Sequence, residues 1–515
     1  MSKRIGIAAA IWGFSILLSR VIGLVREAVI GRVLGGGGQA DLYFLAFSLP
    51  DYLNYLLAGG ALTIVFIPIF AGYMTRQDED GAWASFNAIA NIILAALVVV
   101  ITAAWLLVPV IVPPVFAPGL GAADAAQLVL LTRIILPAQI FHVLGGLLSA
   151  VLQARDRHLL PALAPLVYNA GIIGGGLLGG AHYGAVGFAW GVLAGSFLGP
   201  FLMPLAGCLH TGLRWRLGFD WRHPDVRAWL WRTLPIMLAF SIIMLDDTVL
   251  AREGSKLGHG AVATLQYAKK LMRVPIGVFG LAVGVAAYPT LARLVAEGHK
   301  DQAYKTLAVA VRRMLVLAFG AQVVLTAAGP ELSRVIYGGR IDASQHVAIG
   351  TAIAIFSVAL WAWSAQTLIS RGFYVLSKMW LPSLVGTGTL LVAYPFYWWM
   401  GQHMGTTGLA IASSTAVTSY VVLLIVLLRR EYPGVPDGFL PFMVRAAPCA
   451  ASGIGAAAGL RTLDLPLTSP ALRGLLLGTV GGLAYLGAIL AIGLPEARDV
   501  IDMVWSRVRR RLGLA

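Results

Sequence analysis

The amino-acid sequence predicts an all-α polytopic membrane protein of about 14 transmembrane helices. Three observations carry that prediction. Only 12% of the 515 residues are charged and 58% are hydrophobic, with a mean hydropathy of +0.81; a soluble domain carries about 25% charged residues. Apolar runs of about 20 residues recur from end to end, each long enough to cross ~30 Å of hydrocarbon. These runs lack two-residue alternation, which excludes a membrane β-barrel and leaves helices as the structure that satisfies each backbone group in lipid. A soluble protein with buried helices is excluded too, because no polar faces cover so many apolar segments.

The expected spans are 5–31, 39–74 (broken near Gly59-Gly60), 83–113, 124–154, 159–181, 183–210, 226–252, 260–291, 303–328, 343–370, 379–400, 405–428, 439–461 and 470–494. The first carries Arg20 and Arg26 and lacks a small-x-small cleavage site, so it reads as a retained span and not as a cleaved signal. Cys208 and Cys449 fall in different apolar regions and suggest neither a disulfide nor a metal site. The net charge of +15 reads as positive loops against anionic lipid, not as a nucleic-acid footprint.

Orientation follows from Lys and Arg in the connections. One side collects Lys3, Arg4, Arg76, Arg155, Arg157, Arg214, Arg216, Arg222 and the tail Arg507, Arg509, Arg510, Arg511, and the other has few. Both termini are therefore expected in the cytoplasm. The connection 211–225 mixes Trp with Arg and is expected to lie on the cytoplasmic leaflet. It divides the chain into halves, and a faint repeat supports the division: Gly59 to Pro68 and Gly280 to Pro289 have the same spacing. Transporters often place a substrate site between such repeats.

Ionisable groups at membrane depth carry the functional signal, since each costs about 2.5 kcal/mol or more there and must face a partner or a polar interior. They are Arg20 and Arg26 in the first span, Asp41 and Asp51 in the second, Arg133 in the fourth, Asp246 and Asp247 in the seventh, and Lys269, Lys270 and Arg273 in the eighth. Lys270 and Arg273 are i,i+3 and Lys269 and Arg273 are i,i+4, so the three adjoin. A basic cluster without a carboxylate nearby in sequence suggests an anionic ligand such as a pyrophosphate, with Arg as a planar fork and Lys as a point charge. The alternatives are pairing with Asp246, Asp247 or Asp41 across helices, or snorkelling to the interface. Asp246 and Asp247 are candidates for coupling to a cation or proton, or for structural pairing with Lys or Arg. Enzyme signatures are lacking: there is no HExxH, nucleophile elbow, P-loop or acidic Mg²⁺ cluster. Without an ATPase module, transport is passive or is driven by an ion gradient or the membrane potential.

The run Ser19-Arg20-Val21-Ile22-Gly23-Leu24-Val25-Arg26-Glu27 resembles the S-R-x-x-G-x-x-R-[DE] opening of the MurJ (MviN) family of lipid II flippases. Further similarities follow in order: Ala40-Asp41-Leu42-Tyr43-Phe44, Phe66-Ile67-Pro68-Ile69-Phe70, Ala117-Pro118-Gly119, Leu148 to Ala154, Pro161 to Pro165, Tyr267-Ala268-Lys269-Lys270-Leu271-Met272 and Arg371-Gly372-Phe373-Tyr374. The similarity is clear over 10–300 and thinner beyond.

The resemblance implies membership of the superfamily that includes MATE exporters. It implies two six-helix lobes around a central cationic cavity, 1–210 and 226–430, joined by the linker 211–225. Two further helices in 431–495 would form a groove for the lipid tail, and 496–515 would be a basic cytoplasmic tail. It implies alternating access that carries lipid II, an undecaprenyl-pyrophosphate-linked precursor, to the outer leaflet of the inner membrane. Arg20, Arg26 and Asp41 match cavity positions of the family, and Lys270 occupies the place of its helix-eight Arg. The family's helix-two Arg aligns with Asn54 or Tyr55, and Lys269 and Arg273 stand where acidic neighbours are usual. Positive charge has thus moved from the second span to the eighth. An Asn-rich pattern tied to sodium in some members is absent around Gly386–Tyr394.

The substrate-binding set expected from residues and resemblance together is Arg20, Arg26, Asp41, Asn54, Lys269, Lys270 and Arg273. No cofactor, metal or enzymatic activity is expected; coupling would be to a monovalent cation or the membrane potential. The expected state is a monomer whose partners are the glycolipid, membrane lipids and cell-wall synthesis enzymes. The alternatives are a flippase for another polyprenyl-pyrophosphate oligosaccharide, a cation-coupled multidrug exporter, which needs an acidic cavity, and a non-transporting scaffold.

Overall fold

Backbone amides in hydrocarbon have only each other as partners, and among the described residues every regular element is a helix. The structure is a computed structural model that describes residues 2–58, 61–237, 242–463 and 467–511; for 2–14, 16–17, 58, 61–64, 234–237, 278–289, 503–504, 507–508 and 510–511 it describes the backbone alone. Gly59, Gly60 and the side chains of Lys3, Arg4, Arg507, Arg510 and Arg511 therefore lie outside the described residues.

Eight described helices are long and apolar enough to cross a membrane, from Glu79–Phe116 to Pro470–Ala491. Ala343–Val358 and Leu360–Val375, bent by 44°, make a ninth span when taken together. One of the eight, Trp380–Glu431, holds two expected spans that meet at Gly405. There φ is +58°, a left-handed value that glycine adopts without a Cβ penalty. The expected spans 5–31, 39–74, 226–252 and 260–291 each contain residues outside the full description, so the expected number of 14 is not established.

Contacts divide the chain into two compact units. Unit 1 is Met1–Phe240, Asp247–Ala263 and Gly339–Ile341; unit 2 is Ser241–Asp246, Thr264–Gly338 and Asp342–Ala515. In unit 1 the helix Leu159–Tyr183 packs on Ser2–Leu34 and on Ala185–Ser196. The second contact is backbone against backbone: a Cβ on Gly191 would stand 2.7 Å from the Gly171 carbonyl oxygen. Small residues drive such packing in lipid, where apolar side chains gain little by meeting each other. This close approach positions Tyr168 and Asn169.

The connection 211–225 is non-helical up to its last residues and is pinned along Glu79–Phe116. Asn87 donates to the Arg214 carbonyl (2.8 Å) and accepts from the Arg216 amide (2.9 Å); Asn91 donates to the Arg216 and Gly218 carbonyls and accepts from the Trp215 indole (3.0 Å). These bonds satisfy backbone groups that a segment without ladder partners would otherwise leave to water. Leu217, Phe219 and Trp221 are exposed, which suits a segment at an interface. In unit 2 the helix Lys300–Tyr337 is central and packs on Ala343–Val358, Leu360–Val375, Phe439–Arg461 and Pro470–Ala491. The C-terminal helix Pro495–Arg511 is tied to it by Arg312–Glu496 (2.7 Å) and Arg313–Asp499 (2.6 Å).

Candidate functional site

Charges at membrane depth gather in two constellations within unit 1 and one within unit 2. The first, in unit 1, centres on Arg26. Its guanidinium donates from Nε (3.2 Å) and Nη2 to the Glu27 carboxylate and from Nη1 to Asn169 Oδ1 (3.0 Å). Asn169 is itself oriented, because its Nδ2 donates to the Pro165 carbonyl (2.9 Å). Glu27 and Asn169 are buried, while the Arg26 side chain keeps 25% of its surface. Two partners thus fix the plane of the fork and leave one part of it open. Nearby, His142 meets Tyr168 edge to face at 5.1 Å and bonds Ser196 Oγ at 3.0 Å, so this interior is polar. Arg20 is exposed and Asn54 is half-buried.

Asp41 forms the second constellation, also within unit 1. It is 4% exposed and accepts from the backbone amides of Gly260 and Ala263 (2.6 Å), where the helix Ala261–Ala296 begins. A carboxylate there satisfies orphan N–H groups and opposes the positive end of the helix dipole. The segment 247–263 makes further bonds within unit 1. Thr248 Oγ1 donates to Tyr52 Oη (2.9 Å), Arg252 Nη1 to the carbonyls of Pro114 (3.0 Å) and Val115, and the Gly119 amide to Ser255 Oγ (3.4 Å). His259 stands 3.5 Å from Asp124, and Arg340 donates to the Val33 carbonyl (3.0 Å).

Asp41→Ala is expected to loosen this cap by about 1 kcal/mol, the usual cost of a lost cap. A cysteine at the fully buried position 263, with Cys208 and Cys449 replaced, should then react with a thiol reagent about fivefold faster. An unchanged rate would show that Asp41 does not hold the segment.

The third constellation lies in unit 2. Asp246 is fully buried and accepts from Lys269 Nζ, Tyr397 Oη and Ser413 Oγ (2.9 Å). Lys269 is 1% exposed, and its ammonium lies 5.0 Å from the centroid of Trp363. Arg273 stands over the same ring at 5.8 Å. Lys269 and Asp246 form a buried ion pair, with two hydroxyls on the carboxylate and an aromatic face under the ammonium.

The structure therefore separates what the sequence grouped. Lys269 is held by Asp246, while Lys270 and Arg273 remain half-buried. Asp246 and Asp247, neighbours in sequence, fall in different units. Arg133 bonds the Trp105 carbonyl (3.2 Å) and covers its ring at 4.4 Å. Sequence reasoning missed Asn169, Tyr397 and Ser413; no periodicity marks a neutral polar residue as the partner of a distant charge. Glu27 belongs to the opening motif, but adjacency in sequence does not mark it as Arg26's partner. Among the described residues no group of three His, Cys, Asp or Glu side chains could hold a metal.

The sequence profile of the family "Lipid II flippase MurJ" matches residues 30–464. The lipid II flippase MurJ of Burkholderia cenocepacia is 29% identical over 453 residues, covering 84% of this chain and 85% of that protein. Among solved structures, "Lipid II flippase MurJ, inward closed conformation" superposes with a TM-score of 0.78 at 19% identity, over 95% of this chain and 99% of the other. An inward-facing MATE multidrug transporter of the MOP superfamily superposes with a TM-score of 0.64 at 14% identity, over 80% and 94%. The fold is that of these transporters, and the chain belongs to the MurJ family of lipid II flippases.

Proposed function

We propose that this chain flips lipid II across the bacterial inner membrane, from the cytoplasmic to the outer leaflet, by alternating access. The observation that carries the reading is the family match over 30–464, which contains each candidate cavity charge except Arg20 and Arg26. The fixed fork of Arg26 supports it, because a planar guanidinium suits a pyrophosphate. Arg20 with the neutral Asn54 in unit 1, and Lys270 and Arg273 in unit 2, are further candidates for contact with an anionic head group. The work is transport, with no bond made or broken. Both termini are assigned to the cytoplasm, which puts the cap built on Asp41 toward the outer side of unit 1. The protein is assigned as a monomer, with six-helix lobes 1–210 and 226–430 and a tail groove in 431–495.

For the driving force we propose the membrane potential. Asp246 already holds the ammonium of Lys269, so its charge is met within the chain. An inside-negative potential favours outward movement of an anion by about 2.3 kcal/mol per charge per 100 mV.

The test is the accessibility of lipid II at the outer face of cells whose sole flippase is this chain. Exposure is expected, falling when the potential is collapsed and unchanged when sodium is replaced by potassium. No exposure at normal membrane levels would redirect the search to another polyprenyl-pyrophosphate glycan. Dependence on sodium would overturn the assigned driving force.

A further inference from the structure

Arg133 is a charge at membrane depth in unit 1 to which nothing above gives a task. It sits on the outward face of the helix Ala122–Ile135. Ala126 and Leu130, on the same face in the preceding turns, are exposed, while Leu131, Thr132, Ile134 and Ile135 are buried. Beside it runs Glu79–Phe116, where Pro109 has no N–H to give the Trp105 carbonyl, its i−4 partner. Arg133 supplies that donor from Nε (3.2 Å), and its guanidinium lies 4.4 Å from the centroid of the Trp105 ring. Trp105, Leu106, Leu107 and Val110 are all exposed, so the pair sits in the kind of apolar surface that spanning helices turn to lipid.

Depth distinguishes this arginine from an interfacial anchor. The two helices are joined by the connection 117–121. Arg133 and Trp105 each lie about 16 Å from it along their helices, at 1.5 Å per residue. That is near the middle of ~30 Å of hydrocarbon. A guanidinium bonded through Nε and laid on an indole cannot snorkel that distance to a headgroup. Among the described residues the Trp105 carbonyl is its only hydrogen-bond partner. Satisfying one carbonyl needs a single neutral donor, so the positive charge and the N–H groups of Nη1 and Nη2 are surplus to that job.

We propose that Arg133 and Trp105 dock a transmembrane helix of another membrane protein, one that carries an Asp or Glu at mid-depth. An ionised group in hydrocarbon is costly on either protein alone, and both costs are relieved when guanidinium and carboxylate meet. A carboxylate accepts from Nη1 and Nη2 together, and the exposed Trp105, Leu106, Val110 and Leu130 give the helix an apolar bed. Two other occupants fit less well. A phospholipid phosphate stays at headgroup depth. A second copy docked face to face would set Arg133 against Arg133, and the acidic residues of these two helices, Glu79, Asp80 and Asp124, stand in their first turns. The site does not depend on the identity of the cargo.

The test uses the purified full-length protein, labelled at its C-terminus, in phosphatidylcholine vesicles. The probe is a labelled polyleucine transmembrane peptide with a single central Glu, and energy transfer reads its association. The Glu peptide should bind about tenfold more tightly than the same peptide with a central Gln. Arg133→Gln, which keeps a donor for the Trp105 carbonyl, should bring the two peptides to equal affinity; Arg133→Lys, which keeps the charge, should retain part of the preference. Equal affinity for both peptides in wild type overturns the proposal and needs no variant to be read. A preference that persists in Arg133→Gln overturns it too, by placing the contact elsewhere. Loss of the preference when phosphatidylglycerol replaces phosphatidylcholine would give Arg133 to a lipid headgroup. Energy transfer between two labelled copies that disappears in Arg133→Gln would make the face a self-contact; either result overturns the assigned partner.

Discussion

Lys269→Met is expected to destabilise the protein by about 3–5 kcal/mol, the cost of breaking a buried ion pair from one side. Asp246 is fully buried, and the ammonium is its charge partner in the cluster. The hydroxyls of Tyr397 and Ser413 remain as donors but carry no charge. Replacing Asp246 with Asn in the same chain should recover most of the loss, because a neutral amide can keep both hydroxyl bonds without a counter-ion. Thermal unfolding of the purified protein in detergent, together with membrane levels in cells, measures both variants. The outcome also separates two roles for Lys269. A cargo-binding lysine would leave stability intact in Lys269→Met and abolish flipping, and the Asp246→Asn double variant would then restore nothing.

The largest expected loss of transport comes from Arg26. A guanidinium that grips a pyrophosphate through two charge-assisted bonds contributes about 1.5–3 kcal/mol per bond, so its removal should cut lipid II exposure by two orders of magnitude or more. The pairing with Glu27 shapes the choice of variant. Arg26→Ala alone takes the charge partner from a carboxylate that is 6% exposed and risks unfolding. The pair Arg26→Gln with Glu27→Gln removes both charges and keeps polar groups in place. That variant should reach the membrane at wild-type levels and fail to expose lipid II. Arg26→Lys should fall between, since it keeps the charge but loses the fork that Glu27 and Asn169 orient. Wild-type exposure in the Gln pair would remove Arg26 from the cargo site.

Several features of this protein follow from the chain itself. A run of about 20 apolar residues has few solutions in hydrocarbon, so class, helicity and most span positions are legible without neighbours. The opening motif with Arg20, Arg26 and Glu27 is a local pattern and is equally legible. Choice of partner is different in kind. Helical spacing places Lys269, Lys270 and Arg273 side by side, yet it cannot say which neighbouring helix each meets. Lys269 found Asp246, 23 residues away, and Arg133 found the carbonyl and ring of Trp105. Asp41 became the cap of a helix that starts 220 positions later, at Ala261. Such pairings depend on which faces pack, and in lipid close packing of small residues, such as Gly171 on Gly191, decides that. The sequence by itself determined a helical membrane transporter with buried charges; the tertiary structure alone decided which charges neutralise each other and which keep a face open, because a buried charge takes its partner from the helices that close packing brings beside it.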